Sequence, residues 1–232
     1  IFLALPLLFF IGIRIIPTLQ AFQMSLYDWH VQPEARTFVG LGNYERMLAD
    51  QRLHQAFRNT LWYGLLGVPA QLILGLAFAL LLHSIRRFRG FFRAVFFAPY
   101  VAPAVAVSWV WSLLLSPHLG IVNQVLHWLG LPPQPFLTSP QQALPTVTAV
   151  VVWQFVGFHI LLFLAGLESI PRLYYEAAQI DGASRWVTFR YITLPLLNPT
   201  IVVSLVMATA APSIGMLQLF THVMNLKFND PG

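Results

Sequence analysis

The sequence has no cysteine, a single lysine and few charges of either sign. Without cysteine there is no disulfide, no thiolate nucleophile and no sulfur-ligated metal, although the absence fits any compartment. The lysine, Lys227, follows Leu226, so the Gly-x-x-x-x-Gly-Lys-Ser/Thr phosphate cradle is missing and any ATP would have to be hydrolysed elsewhere. Charged residues make up only 9% of the chain, against ~25% in soluble domains, while 57% are hydrophobic. Much of the chain must therefore be solvated by lipid. A formal charge of +5 would point to nucleic acid in a soluble protein. In a membrane protein basic residues mostly set orientation, so no nucleic-acid partner is expected. The histidines at 30, 54, 83, 118, 127, 159 and 222 are scattered, with no His-Glu-x-x-His and no adjacent carboxylate. A zinc enzyme or a triad hydrolase is thereby disfavoured, and no catalytic or metal-binding residue is expected.

A membrane span needs ~20 mostly apolar residues to cross ~30 Å of hydrocarbon. Runs at about 1–24, 59–85, 94–116, 144–167 and 201–226 meet that requirement and predict an all-α polytopic membrane protein of about five spans, folded as one domain over 1–232. The first run carries Arg14 and Pro17. An arginine at a helix centre costs about 2.5–3.5 kcal/mol on the insertion scale, so Arg14 either lines a polar path or snorkels to an interface. Between the first two runs, Gly40-Leu41-Gly42-Asn43-Tyr44 reads as a turn that starts a short interfacial helix. From Ala94 to Leu167 there is no Lys, Arg, Asp or Glu; prolines and glycines from Pro117 to Pro140 mark a neutral loop inside that stretch. Ile121 to Leu129 in this loop is amphipathic and suits the membrane surface, with Trp128 at headgroup depth. The chain begins at Ile1 without an initiator Met and ends at Gly232 after a polar stretch, so it is expected to be a piece of a longer protein.

One polar island stands out in the second half: Tyr175-Glu176-Ala177-Ala178-Gln179-Ile180-Asp181-Gly182-Ala183, closed by Ile192-Thr193-Leu194-Pro195. Two alanines behind a glutamate make a good helix former with little bulk, so another protein's surface can come close. Gly182 suits a left-handed helix end, Ser184 can cap a second helix over Arg185 to Tyr191, and Pro195 is expected to stop it. A small-residue helix between two spans reads as a docking knob.

Glu176, Ala177, Ala178, Gly182, Ile192, Leu194 and Pro195, at these spacings, resemble the signature loop of the membrane subunits of binding-protein-dependent ABC importers. Arg89-Gly90-Phe91-Phe92-Arg93, Phe96-Phe97-Ala98-Pro99-Tyr100-Val101-Ala102-Pro103, the Trp109/Trp111 pair, and Pro117, Gly120 and Asn123 look like the sugar permeases of the maltose type. So does Leu164-Ala165-Gly166-Leu167-Glu168-Ser169-Ile170-Pro171. The resemblance implies a type I importer transmembrane domain with a cytoplasmic coupling loop over 168–198 between spans four and five. Glu176, Ala177, Ala178, Asp181 and Gly182 would engage an ATPase subunit. ATP and magnesium would belong to that partner, leaving this chain without a cofactor. A second permease subunit, an extracytoplasmic solute-binding protein and a sugar complete the implied partners, in a bacterial or archaeal inner membrane. The family often has Asp after Gly-x-x-Gln-x-Phe in its fifth span, where this chain has Thr221 after Phe220, and Ala210-Ala211-Pro212 is unusual. Both departures leave room for a different substrate contact.

Charge distribution gives the orientation independently. With the Glu176 loop inside, Arg86, Arg87, Arg89, Arg93, Arg172, Arg185 and Arg190 fall inside as well, and so does the N-terminus. Arg36, Arg46, Arg52, Arg58 and Lys227 fall outside, a smaller set. A sugar path needs amides and hydroxyls beside flat aromatic faces. Gln154, Gly157, Phe158 and His159 on the fourth span have that chemistry, as do Thr209, Ser213 and Gln218 on the fifth. Each also suits a plain inter-helix hydrogen bond or close contact. Other small solutes (a polyol, glycerol phosphate or a polyamine) remain alternatives to the sugar. An ion-coupled secondary transporter should carry several intramembrane carboxylates, and the spans offer only Glu168, at a boundary.

Overall fold

A computed structural model describes residues 4–28, 30, 36–85 and 87–210. These residues form two compact units, 1–58 and 59–232, described separately below.

In the first unit, α1 (Ala4–Met24) is long and apolar enough to cross a membrane and buries none of its residues within the chain. Its middle is a π turn, Ile11–Ile15, in which the Ile16 N–H reaches the Ile11 carbonyl. Pro17 follows directly, at a position where its missing N–H disturbs the widened ladder least. Arg14 lies in this turn, and the Thr18 hydroxyl donates to its carbonyl at 2.6 Å. Two short strands, β1 (Tyr27–Asp28) and β2 (Thr37–Phe38), pair antiparallel. The predicted turn is present, with Gly40 at φ +54°, and leads into α2 (Gly42–Ala49). Asn43 ties it down by donating to the carbonyls of Ser25 and Tyr27, each at 2.8 Å.

The second span is part of a longer helix, α3 (Gln51–Ser84), which starts eight residues before the apolar run at 59. Hydropathy marks the lipid-facing part of a helix and says nothing of a polar extension.

The expected third span, 94–116, is not one helix. The chain forms α4 (Arg89–Val101) and α5 (Ala104–Leu114), bent by 94° at the break. Pro103 disfavours a helical conformation for Ala102, which sits at φ −67°, ψ 137°. The helical ladder resumes with Val107 N–H on the Pro103 carbonyl. The loop after α5 holds α6 (Ile121–Trp128), with Trp128 90% exposed. Asn123 organises this loop: it donates to the Gln134 carbonyl at 2.9 Å and accepts from the Gln134 N–H at 2.8 Å.

The fourth span is the centre of the unit. In α7 (Pro140–Ser169), buried residues face every side, from Val147 to Leu167. Two apolar clusters run along it, one around Val150 and Val151 with Tyr63 and Val107, the other around Ile160, Phe163 and Leu164 with Ala79 and Leu197. Close approach is set by glycines. A Cβ at Gly157 would strike the Phe96 carbonyl of α4, and one at Gly75 of α3 would lie 2.8 Å from His159 Cβ.

After α7 come α8 (Arg172–Ile180) and α9 (Arg185–Leu196). Helix α9 ends at Leu196, one residue past the stop expected at Pro195. A π turn at Phe189–Thr193 takes the Leu194 N–H back to the Phe189 carbonyl, and Pro195 opens the next turn without breaking it. The same device carries α1 past Pro17. The chain turns by 65° at Leu197, and α10 (Asn198–Ala210) begins the fifth span. Among the described residues three helices pass as spans on length and apolarity, or up to five if each bent pair counts as one.

Candidate functional site

The polar island folds as two short helices around a glycine turn. Helix α8 ends in a double closure: Ala183 N–H donates to the Ala178 carbonyl at 2.9 Å and Gly182 N–H to the Gln179 carbonyl at 3.1 Å. That Schellman pattern requires a left-handed residue at its C′ position, and Gly182 has φ +71°. Ser184 then accepts from the Val187 N–H at 3.3 Å and starts α9.

The two alanines face opposite ways. Ala178 is 5% exposed and turned into the chain, on the same side as Tyr175, whose hydroxyl meets Thr193 Oγ1 at 3.3 Å. Ala177 and Glu176 are exposed with Asp181 and Gly182. Around them Leu173, Ile180 and Trp186 are uncovered, Ile180 to 87%. Small, acidic and apolar groups thus share one outward face with no cover from the other described residues.

Within the spans, four polar side chains form a buried line. The His159 ring meets Ser204 of α10 through Nδ1 at 2.7 Å and Gln71 Oε1 of α3 through Nε2 at 3.0 Å. Gln71 Nε2 in turn donates to the Tyr63 hydroxyl at 3.1 Å. Since Gln71 Oε1 only accepts, Nε2 of the neutral ring carries the proton and Nδ1 accepts from the Ser204 hydroxyl. Both ring nitrogens of His159 are therefore occupied, and the residue is 2% exposed.

Gln154 sits about one turn away, toward the α6 loop. Its Nε2 donates at 3.2 Å to the Ala102 carbonyl, freed by the break between α4 and α5, while its Oε1 is buried without a partner among the described residues. Beside the same break, Tyr100 stacks on Phe158 with centroids 5.2 Å apart and 24° between planes, and touches Phe97 and Phe155. Gly157 is pressed against Phe96. The Thr209 hydroxyl donates back to the Leu205 and Val206 carbonyls of its own helix. Ser213 and Gln218 lie outside the described residues.

The family of binding-protein-dependent transport system inner membrane components matches residues 71–219, which takes in α3 from Gln71, the broken helix, α7 and the island. The chain belongs to that family. This permease is 37% identical over 230 residues to the trehalose/maltose transport system permease protein MalF of Thermococcus litoralis, covering 98% of its own length and 76% of the relative's. In structure it is similar to a chain of a bacterial ABC transporter that imports the acidic polysaccharide alginate, with a TM-score of 0.77 and 27% identity. That match covers 98% of the permease and 74% of the other chain. The alginate transporter in complex with its alginate pentasaccharide-bound periplasmic protein gives the same TM-score at 25% identity, over 97% and 82% of the two chains. The type I importer architecture expected from the signature loop is borne out, and the permease is a multi-pass inner-membrane protein of an ABC importer.

Three participants of the permease core were not legible as such. Gln71 and Ser204 lie 88 and 45 residues from His159, and only helix packing brings them together. Tyr100 is in the sugar-permease-like stretch, but its stacking on Phe158 depends on the bend that follows it.

Proposed function

We propose that this chain passes a carbohydrate, handed over by an extracytoplasmic binding protein, and is driven by ATP hydrolysed on a separate subunit with its own magnesium. The observation that carries the reading is the outward face of α8, where Glu176, Ala177, Asp181 and Gly182 lie among uncovered apolar residues. A cleft on the ATPase would receive this face, with Ala178 keeping the helix close to its own chain. ATP binding would close the ATPase pair and drag α8, rocking the spans between inward-open and outward-open states. The pair of permease chains, this one with a second copy or a paralogue, would enclose the path. Orientation follows from the arginines, with α8 and the N-terminus inside and the α6 loop outside.

Carbohydrate is favoured over the other solutes by the names of the relatives and by the aromatic cluster at the helix break. Tyr100 and Phe158 offer flat faces for a sugar ring, and Gln154 adds the amide whose Oε1 has no partner. His159 touches Phe158 and Gly157 touches Phe96 behind this wall, and Thr209, Ser213 and Gln218 are the remaining candidates that the sequence offers.

Purification of the membrane complex with its ATPase, followed by reconstitution with the binding protein, tests the reading. ATP-dependent uptake of labelled trehalose, maltose or alginate oligosaccharide is expected, lost in the Tyr100→Ala variant and in variants that detach the ATPase. Uptake of only glycerol phosphate, a polyol or a polyamine would replace the substrate class. Uptake driven by an ion gradient without the ATPase would overturn the whole reading.

A further inference from the structure

At the inner end of α7 the carboxylate of Glu168 gathers two arginines of α4. Arg89 Nη1 donates to Glu168 Oε1 at 3.0 Å and Arg93 Nη2 donates to the same oxygen at 2.6 Å. Arg89 also donates through Nη2 to the His83 carbonyl at 2.6 Å and through Nε to the Leu82 carbonyl at 3.3 Å. Those carbonyls belong to the last turn of α3, past the regular helical ladder, where Leu82 also accepts from the Ile85 N–H at 3.2 Å. The end of α3, the start of α4 and the end of α7 therefore meet in one charged knot.

The knot sits next to a hinge. Ile170 and Pro171 are extended, at ψ 120° and 135°, so no helical hydrogen bonds carry α7 into α8. Cavities flank the carboxylate on both sides. One, of about 360 Å³, lies between Glu168, Arg93 and Leu161; the other, of about 610 Å³, opens between Glu168, Arg172 and Tyr175. Apolar packing holds α3, α4 and α7 together deeper in the membrane, and this end has room to give. Without a tie here, a pull on α8 would reach α3 and α4 only through the apolar contact of Tyr175 with the inner cluster, with no hydrogen bond among the described residues to carry it.

We propose that Glu168, with Arg89 and Arg93, is the joint that passes the displacement of α8 to α3 and α4 together with α7. These are positioning residues: they touch no substrate and act by making three helix ends move as one body. The inference rests on the importer reading above, and a charge-assisted, multiply bonded carboxylate suits the role because it holds both distance and direction.

Because the chain has no cysteine, paired spin labels at Ser84→Cys and Gln179→Cys report the distance from α3 to α8 in the assembled complex. With the wild-type joint, one distance is expected both without nucleotide and with ATP trapped on the partner. In Glu168→Gln, the ATP-trapped complex should gain a second distance, shifted by a few ångström, roughly the scale of helix shifts at moving interfaces. Arg93→Gln should do the same, and the exchange Glu168→Arg with Arg93→Glu should restore the single distance. A merely structural salt bridge would not give nucleotide dependence, and rescue by exchange ties the effect to the charge pair. An unchanged distance in both Gln variants overturns the joint alone. A complex that binds no ATPase subunit overturns the importer reading and the joint with it.

Discussion

Gly157 of α7 lies against the backbone carbonyl of Phe96 in α4, so closely that no β-carbon fits between them. This contact fixes how near the broken third span comes to the central helix. The Tyr100–Phe158 stack and the Gln154 bond to Ala102 both follow from it, because they lie on the same two faces.

Gly157→Ala should therefore force α4 and α7 apart at a cost of about 1–3 kcal/mol, the usual range for overpacking. Gly64 of α3 is the control, since a β-carbon there would meet nothing within 4 Å and Gly64→Ala should cost nothing. Thermal melting of the detergent-purified protein checks both. Equal melting temperatures for the two variants would show that the close approach is not tight.

The His159 network makes a second measurable claim. Ser204→Ala and Gln71→Leu each leave one nitrogen of the buried ring without its partner. A double-mutant cycle of His159→Leu with Ser204→Ala should give a coupling of about 0.6–1.7 kcal/mol, as hydrogen bonds between membrane helices do. A coupling of zero would mean that α10 is held by apolar contact alone.

Gly182→Ala puts a β-carbon on a left-handed residue, for which the steric cost is roughly 1–2 kcal/mol. Space is not the obstacle there, since nothing lies within 4 Å. The expected outcome is local: faster amide exchange over 178–184 by mass spectrometry and weaker retention of the ATPase, with the spans unaffected. Protection unchanged across that turn would count against the strain.

Orientation can be read chemically. Glu176→Cys on α8 and Leu131→Cys after α6 each introduce the only thiol in the chain, and both native residues are exposed. An impermeant maleimide should label Leu131→Cys in intact cells and Glu176→Cys only in inverted vesicles. Labelling of both from one side would overturn the assigned topology.

The turn between α8 and α9 shows why some of this could be read directly. Gly182 and Ser184 act through their own backbone and side-chain chemistry, within a few residues of the helix ends they define. Pro195 placed the end of α9 to within one residue but gave no sign of the π turn before it. A proline forbids one hydrogen bond, but whether the helix stops or widens into a π turn depends on what the neighbouring turns pack against. Glu168 was visible as a lone boundary carboxylate, while its two arginines, 75 and 79 residues away, were not visible as its partners.

The sequence alone determined that the chain lives in lipid, roughly where its spans run, and which short loop carries the family signature, because hydropathy and turn chemistry are local properties. Only the tertiary structure decided that Ala178 faces home while Ala177 faces out, and that His159 joins three helices. Those outcomes depend on which helix faces meet, and the facing residues are fixed by packing across dozens of positions that no local pattern records.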